Sequence, residues 1–519
     1  MKPRAFFFTV CACALLSACV TRMTPVPLVS TPMPMPTSGA TSSGVHPAEF
    51  AGQFYPAGSD ELANTVDGFL AAVSPVDGDP VALIAPHAGY VFSGQVAAYS
   101  FKQLVGKDVG VVIIVASDHQ EPLSSPVAVW AEAAWATPLG EVKVDTALAQ
   151  ALVAADKDIQ ADAEAFTGEH PIEVELPFIQ RACPDCLVVP VLMYGDSPEA
   201  VAALSKALVE VLPERRFDGR KAVLLVSSDL SHYPPYETAQ QVDRVTLNAI
   251  TGYFDADIVK ETIDGLMAAG DSALLTCACG EGPILTAIEA AKGWGANTAT
   301  LLHYANSGDV PEGDPEQVVG YGAVMFWQYR PAPLTVEQKS FLIGMARATI
   351  MARLAGEALP KPNTDDPALL RPLGVFVTLK IGENLRGCIG NFSPEGSLLA
   401  NVQEMAMAAA FEDPRFSPLT LDEMSRSDLT IEISILSPMQ PTTPGAVEIG
   451  RDGLVIVSGW SRGVFLPQVP VEQGWDLDAY LENLCYKANL PAGCWKREKA
   501  KLFSFTAEVF GGTGYEVEE

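Results

Sequence analysis

The feature that most constrains this chain is a set of uninterrupted apolar runs, each of strand length and separated from the next by stretches of helical periodicity. Residues 81–85 (VALIA), 109–115 (VGVVIIV), 187–193 (LVVPVLM) and 222–226 (AVLLV) carry almost no polar alternation. A strand that is apolar on both sides is buried on both faces, and helices between such strands cover those faces. Helical periodicity near 93–105 and 198–212 fits that requirement, with further strands near 298–304 and 318–327. The expectation for residues 46–328 is an α/β domain with a central, mostly parallel sheet. Arg330, Pro331 and Pro333 break regular structure, so 329–336 reads as a linker. Thr335 and Gln338 then have the spacing of a capping box that opens a helix. Strands near 375–380, 430–436 and 454–457, with helices near 396–410 and 477–488, predict a smaller α+β domain over 337–515.

At 519 residues the chain is long enough for several domains, and 48% hydrophobic against 18% charged residues permits large cores. The formal net charge of -30 repels a phosphate backbone, which argues against nucleic-acid partners. The first residues read as a targeting segment. Lys2 and Arg4 precede an apolar run over 5–16, too short to cross a bilayer core, which needs about 20 residues. That run ends in Leu16, Ser17, Ala18 and Cys19, which resembles the lipobox of bacterial lipoproteins. The resemblance implies a signal over 1–18, lipid on the Cys19 thiol, and an exported protein held to a membrane by that anchor. Residues 19–45 are rich in Pro, Ser and Thr and read as an extended tether. Cys183 and Cys186 are spaced as a redox pair, a disulfide or half a zinc site, and no second such pair supports zinc. Cys485 and Cys494 are a further candidate pair in a compartment that permits disulfides.

Six histidines occur, and none follows His303. Imidazole chemistry therefore belongs to the first half. His87, His119 and the Asp229/His232 pair each lie just beyond an apolar strand. Ligands of parallel α/β sheets bind outside the carboxyl ends of the strands, so these side chains are expected to meet. Cys279, before an apparent helix, gains thiolate stabilisation from unpaired N–H groups. A thiolate with two imidazoles suits copper, iron or zinc, with a position left open.

With those residues in view, the first half resembles the Memo family, also called AmmeMemoRadiSam system protein B. The resemblance rests on the segment 51–56 (AGQFYP), on Pro86, His87, Gly89 and Tyr90, and on 137–141 (TPLGE). It rests also on Glu169, His170 and Glu173, on Ser228, Asp229, His232 and Tyr233, and on Cys279 and Gly280. It implies a fold like that of class III extradiol dioxygenases. It further implies copper or iron held by His87, His119 and Cys279, with His232, Asp229 and His170 in the same site. His232 would transfer protons, as an imidazole near neutral pKa suits that work, and Asp229 would orient it or a ligand. The extradiol pattern has a carboxylate where Cys279 stands. Thiolate is softer and favours copper or a redox role. Asp118 replaces the family's usual Asn before the histidine, and is expected either to raise the basicity of His119 or to bind metal.

The second half resembles the AMMECR family, AmmeMemoRadiSam system protein A, through Leu385, Arg386, Gly387, Cys388, Ile389 and Gly390. Asp413, Pro414, Arg415 and Phe416 support it. Gly387 and Gly390 allow a tight turn or close approach, and a packed turn is the expectation. Arg386 is a candidate anion binder and Cys388 a candidate nucleophile, though no histidine in this half can activate it. Asp413 and Arg415 read as a turn with an ion pair. The resemblances imply a functional link to a radical-SAM protein. Three readings stand: a metal-dependent oxidoreductase acting on a small molecule or peptide, a metal-binding protein without turnover, and a partner-binding scaffold.

Overall fold

The computed structural model describes residues 44–120, 124–270, 273–392, 396–497 and 499–513. The expected signal, Cys19 and nearly all of the tether lie outside the described residues. Among those residues, no helix is long and apolar enough to cross a membrane.

The first half is built on strands β1 (Pro80–Ala85), β2 (Val111–Ser117), β3 (Val127–Val129), β4 (Ile159–Ala161), β5 (Leu187–Met193), β6 (Arg220–Ser227), β7 (Thr298–Asn306) and β8 (Gly320–Trp327). Their order across the sheet is β7-β8-β1-β6-β2-β5-β3-β4. The four apolar runs are β1, β6, β2 and β5, adjacent and mutually parallel at the centre. The flanks are antiparallel: β8 against β1, β7 against β8 and β3 against β5. The sheet is therefore mixed: its four central strands are parallel and buried, and one further parallel pair, β3 with the half-exposed β4, lies at the edge. Side chains of β2 alternate between two cores. Ile113 and Val115 enter one, while Val112 and Ile114 enter the other. Strand β2 starts two residues later than its apolar run, because Gly110 still belongs to the entering loop, where its N–H bonds Lys221 O.

The capping box forms as expected: Thr335 and Gln338 cap the helix Val336–Ala355 reciprocally. Beyond it lie β9 (Val375–Ile381), β10 (Asn384–Asn391), β11 (Leu429–Leu436), β12 (Gly453–Ser458), β13 (Ser461–Phe465), β14 (Lys501–Phe505) and β15 (Ala507–Gly512). Strands β10-β9-β11-β15 form one antiparallel sheet, and β14-β12-β13 belong to a second. The halves are not merely linked. Leu436, Val455, Val457, Phe503 and Phe505 of the second half share a hydrophobic cluster with the first. Lys501 pairs with Asp255 and Asp257 at 2.5 and 2.9 Å across this junction.

Cys183 and Cys186 form a disulfide, as do Cys485 and Cys494. Cys277, Cys279 and Cys388 are free thiols.

Candidate metal centre

Strand β1 delivers His87 two residues past its end, and β2 delivers His119 in the same way. Strand β6 leads into Asp229 and His232. Cys279 arrives from the far side, one residue before Gly280, which caps the helix Glu281–Gly293. Gly280 is required there. A Cβ on it would meet the Ser228 side chain at 2.6 Å, and its N–H donates to Ser228 Oγ at 2.9 Å. The turn is thereby pressed onto the end of β6.

Donor atoms of His87, His119 and Cys279 all lie within 4.8 Å of one another. Cys279 Sγ is 3.4 Å from His87 Nε2 and accepts the Asp229 N–H at 3.2 Å. His87 is buried, and its Nδ1 lies 2.8 Å from Ser227 Oγ. The single Ser227 hydroxyl proton goes to Pro171 O or Glu175 Oε1, at 2.7 and 2.9 Å. Toward His87 the serine is then an acceptor, so Nδ1 carries the ring proton and Nε2 presents a lone pair to Cys279. Two imidazoles and a thiol at this spacing fit a copper, iron or zinc ion.

Asp229 lies between two of the histidines. Its Oδ1 accepts the His87 N–H at 2.9 Å, and its Oδ2 is 3.9 Å from His87 Nε2 and 4.0 Å from His232 Nε2. Burial raises its carboxyl to about 7, although the His87 N–H opposes the rise. His170 completes the group, with ring centres 5.2 Å from His87 and 5.0 Å from His119.

The imidazoles are strongly differentiated. Burial and the neighbouring histidines push His87 well below its ordinary value and His170 down to about 3. Burial and the charge of His119 lower His232 to about 4. The near-neutral value expected for His232 is therefore not what its surroundings give. It is a neutral imidazole at pH 7, and its buried Nε2 has no hydrogen-bond partner. His119 moves the other way. Burial opposes its charge, but Cys279 and Glu169 outweigh that and raise it to about 10.

Glu169 is the residue the sequence reading left out of the site. Its Oε2 faces His119 Nδ1 at 3.6 Å, and Asp118 is in neither metal-capable group found among the described residues. Asp118 and a charged His119 still attract each other, while the carboxylate in contact with the ring is supplied by Glu169 from a distant loop. Ser227 and Glu175, which orient His87, were also missed. Their only signal was a serine ending an apolar strand and closely spaced glutamates after His170.

In the second half, the run from Leu385 to Gly390 lies on β10, a strand and not the expected turn. Close packing does explain its glycines: a Cβ on Gly387 would meet Ala409 O at 2.1 Å, and one on Gly390 would meet Phe376 at 2.2 Å. Arg386 is not free to bind an anion, being bonded through two nitrogens to Glu423 at 2.7 and 3.1 Å. Asp413 pairs with Arg415 at 2.7 Å, as expected, and also accepts the Cys388 N–H at 2.8 Å. Cys388 Sγ accepts from Thr378 Oγ1 at 3.3 Å.

Residues 46–325 match the family model described as Memo-like protein, and residues 343–510 match the model AMMECR1. A MEMO1 family protein of Pyrobaculum aerophilum is 33% identical over 286 residues, covering 54% of this chain and 97% of the relative. One from Methanopyrus kandleri is 36% identical over 286 residues, covering 53% and 96%. A solved structure of an uncharacterized protein from Pyrococcus horikoshii is 37% identical, covering 36% of this chain and 97% of its own, with a TM-score of 0.33.

Proposed function

This chain belongs to the Memo-like family, with an AMMECR1 domain behind the Memo-like one, and on that premise we propose that its first half is a copper- or iron-dependent redox or oxygenase-like centre. The observation that carries the reading is the convergence of His87, His119 and Cys279 from three separate strand and helix ends to within 4.8 Å. Ser227 sets the His87 tautomer so that Nε2 is available. Cys279 supplies negative charge and a soft donor. A bound copper or iron ion would supply electron transfer or O₂ chemistry. Asp229 holds the His87 backbone, and at about 7 its carboxyl can carry a proton near neutrality. His232 offers its unpartnered Nε2 as a proton acceptor for a small-molecule or peptide substrate. His170 lines the same cluster.

In the cell, the lipobox-like Cys19 and the Pro-rich segment suit an exported protein anchored by lipid, and family membership suggests a functional link to a radical-SAM protein.

Metal content and X-ray absorption on anaerobically purified protein test the reading. About one copper or iron per chain with nitrogen and sulfur ligation is expected, lost in His87→Ala and Cys279→Ala. No metal in the wild type after loading with copper, iron and zinc sinks it.

A further inference from the structure

Two groups of metal-capable side chains occur among the described residues, and they share His119. The second consists of His119, Glu169 and His170, again with donor atoms within 4.8 Å of one another. Glu169 is 1% exposed, and its two oxygens are treated differently. Oε1 accepts the N–H groups of His119 and Gln120 at 2.7 and 2.8 Å, which fixes the carboxylate in place. Oε2 is buried without a hydrogen-bond partner. A buried carboxylate oxygen that faces a protonated His119 across an ion-pair distance but accepts no hydrogen bond is only partly compensated, so a cation that coordinates it stabilises the site. The 3.6 Å to His119 Nδ1 is too long for a hydrogen bond. It is close to the separation of two donors on one ion with bonds of about 2.1 Å. His170 is oriented independently, stacked on Phe54 at 4.7 Å with Phe50 at its edge.

We propose that His119, Glu169 and His170 form a second, oxygen-containing metal site that takes a hard divalent cation such as Mn²⁺. Two imidazoles with one carboxylate are suited to such ions, whereas the thiolate set of His87, His119 and Cys279 is suited to Cu⁺. A neutral imidazole has one lone pair, so the shared His119 makes the two sites alternatives. The chain then holds a soft ion on sulfur or a hard ion on oxygen. The inference deepens the metal-centre reading and rests on it for His119 alone.

Equilibrium binding of Mn²⁺, and of Cu⁺ against a competing chelator, separates the two on the full chain. Cys279→Ala should leave the Mn²⁺ Kd within about threefold and weaken Cu⁺ at least about tenfold, and Glu169→Gln should do the reverse. Unchanged Mn²⁺ affinity in Glu169→Gln, or loss of Mn²⁺ binding in Cys279→Ala, overturns the proposal. Wild-type protein provides a check that no folding defect can confuse. X-ray absorption of the Mn²⁺-loaded chain should show oxygen and nitrogen ligation without a sulfur shell, and a sulfur scatterer there overturns the second site. Failure of the wild type to bind Cu⁺, with Mn²⁺ held through Glu169, removes the sulfur site and supports this one.

Discussion

Four imidazoles, His87, His119, His170 and His232, lie in one cluster, and electrostatics forbids them all to be charged. His119 takes the proton because Cys279 and Glu169 flank it, and the others are held neutral. This has two measurable consequences. A metal must displace the His119 proton, so apparent affinity should rise with pH, by about tenfold per unit from neutrality toward the raised value near 10. Competition titrations between pH 7 and 9 read this directly, and a flat profile would count against a protonated ligand. His170 acts on stability. Its folded value, about 3, lies below the ordinary 6.5, so the unfolded chain binds its proton first as pH falls. The stability it contributes is complete above about 6.5 and is lost as pH falls toward 3. In chelator-treated protein, the stability difference between wild type and His170→Asn should therefore shift against wild type from pH 7.5 to 5, by up to about 2 kcal/mol. Denaturant titrations at both pH values measure it.

At the scale of elements, the centre depends on where strands stop. Strands β1, β2 and β6 end at matching levels because they are parallel and in register, so the residues just beyond all three emerge on one edge of the sheet. The helix Glu281–Gly293 closes the site only because Gly280 lets its first turn touch Ser228. Gly280→Ala should push Cys279 away from His87, costing about 1–3 kcal/mol through overpacking and weakening Cu⁺ binding at least about tenfold. Thermal unfolding and Cu⁺ competition on the same sample test both halves of that statement. The apolar runs were legible as strands because burial on both faces removes polar alternation. Around Gly387 the close approach expected of its glycines is present, but within a strand and not a packed turn. Glycines there serve close packing against Ala409 O and Phe376 inside a strand, and local pattern does not distinguish that use from a bend.

The whole molecule couples its two halves through a shared core. Phe503, buried in the second half, packs near Tyr253 of the first with ring centres 5.3 Å apart. Phe503→Ala should cost about 3–5 kcal/mol and lower the temperature at which the first half releases bound metal. Calorimetry of the loaded protein checks this, and an unmoved metal-linked transition would mean that the halves unfold independently. This coupling could not be read along the chain, where Pro331 and Pro333 suggest only a break. Residue order alone carries the α/β class, the family resemblances and the candidates His87, His119 and Cys279. Those rest on periodicity, turn chemistry and short motifs, which are local. Tertiary structure alone decided that Glu169 faces His119, that Glu175 and Ser227 orient His87, and that Arg386 is occupied by Glu423. Each of these depends on which buried group finds which partner across tens of residues, and burial and pairing are properties of the folded chain.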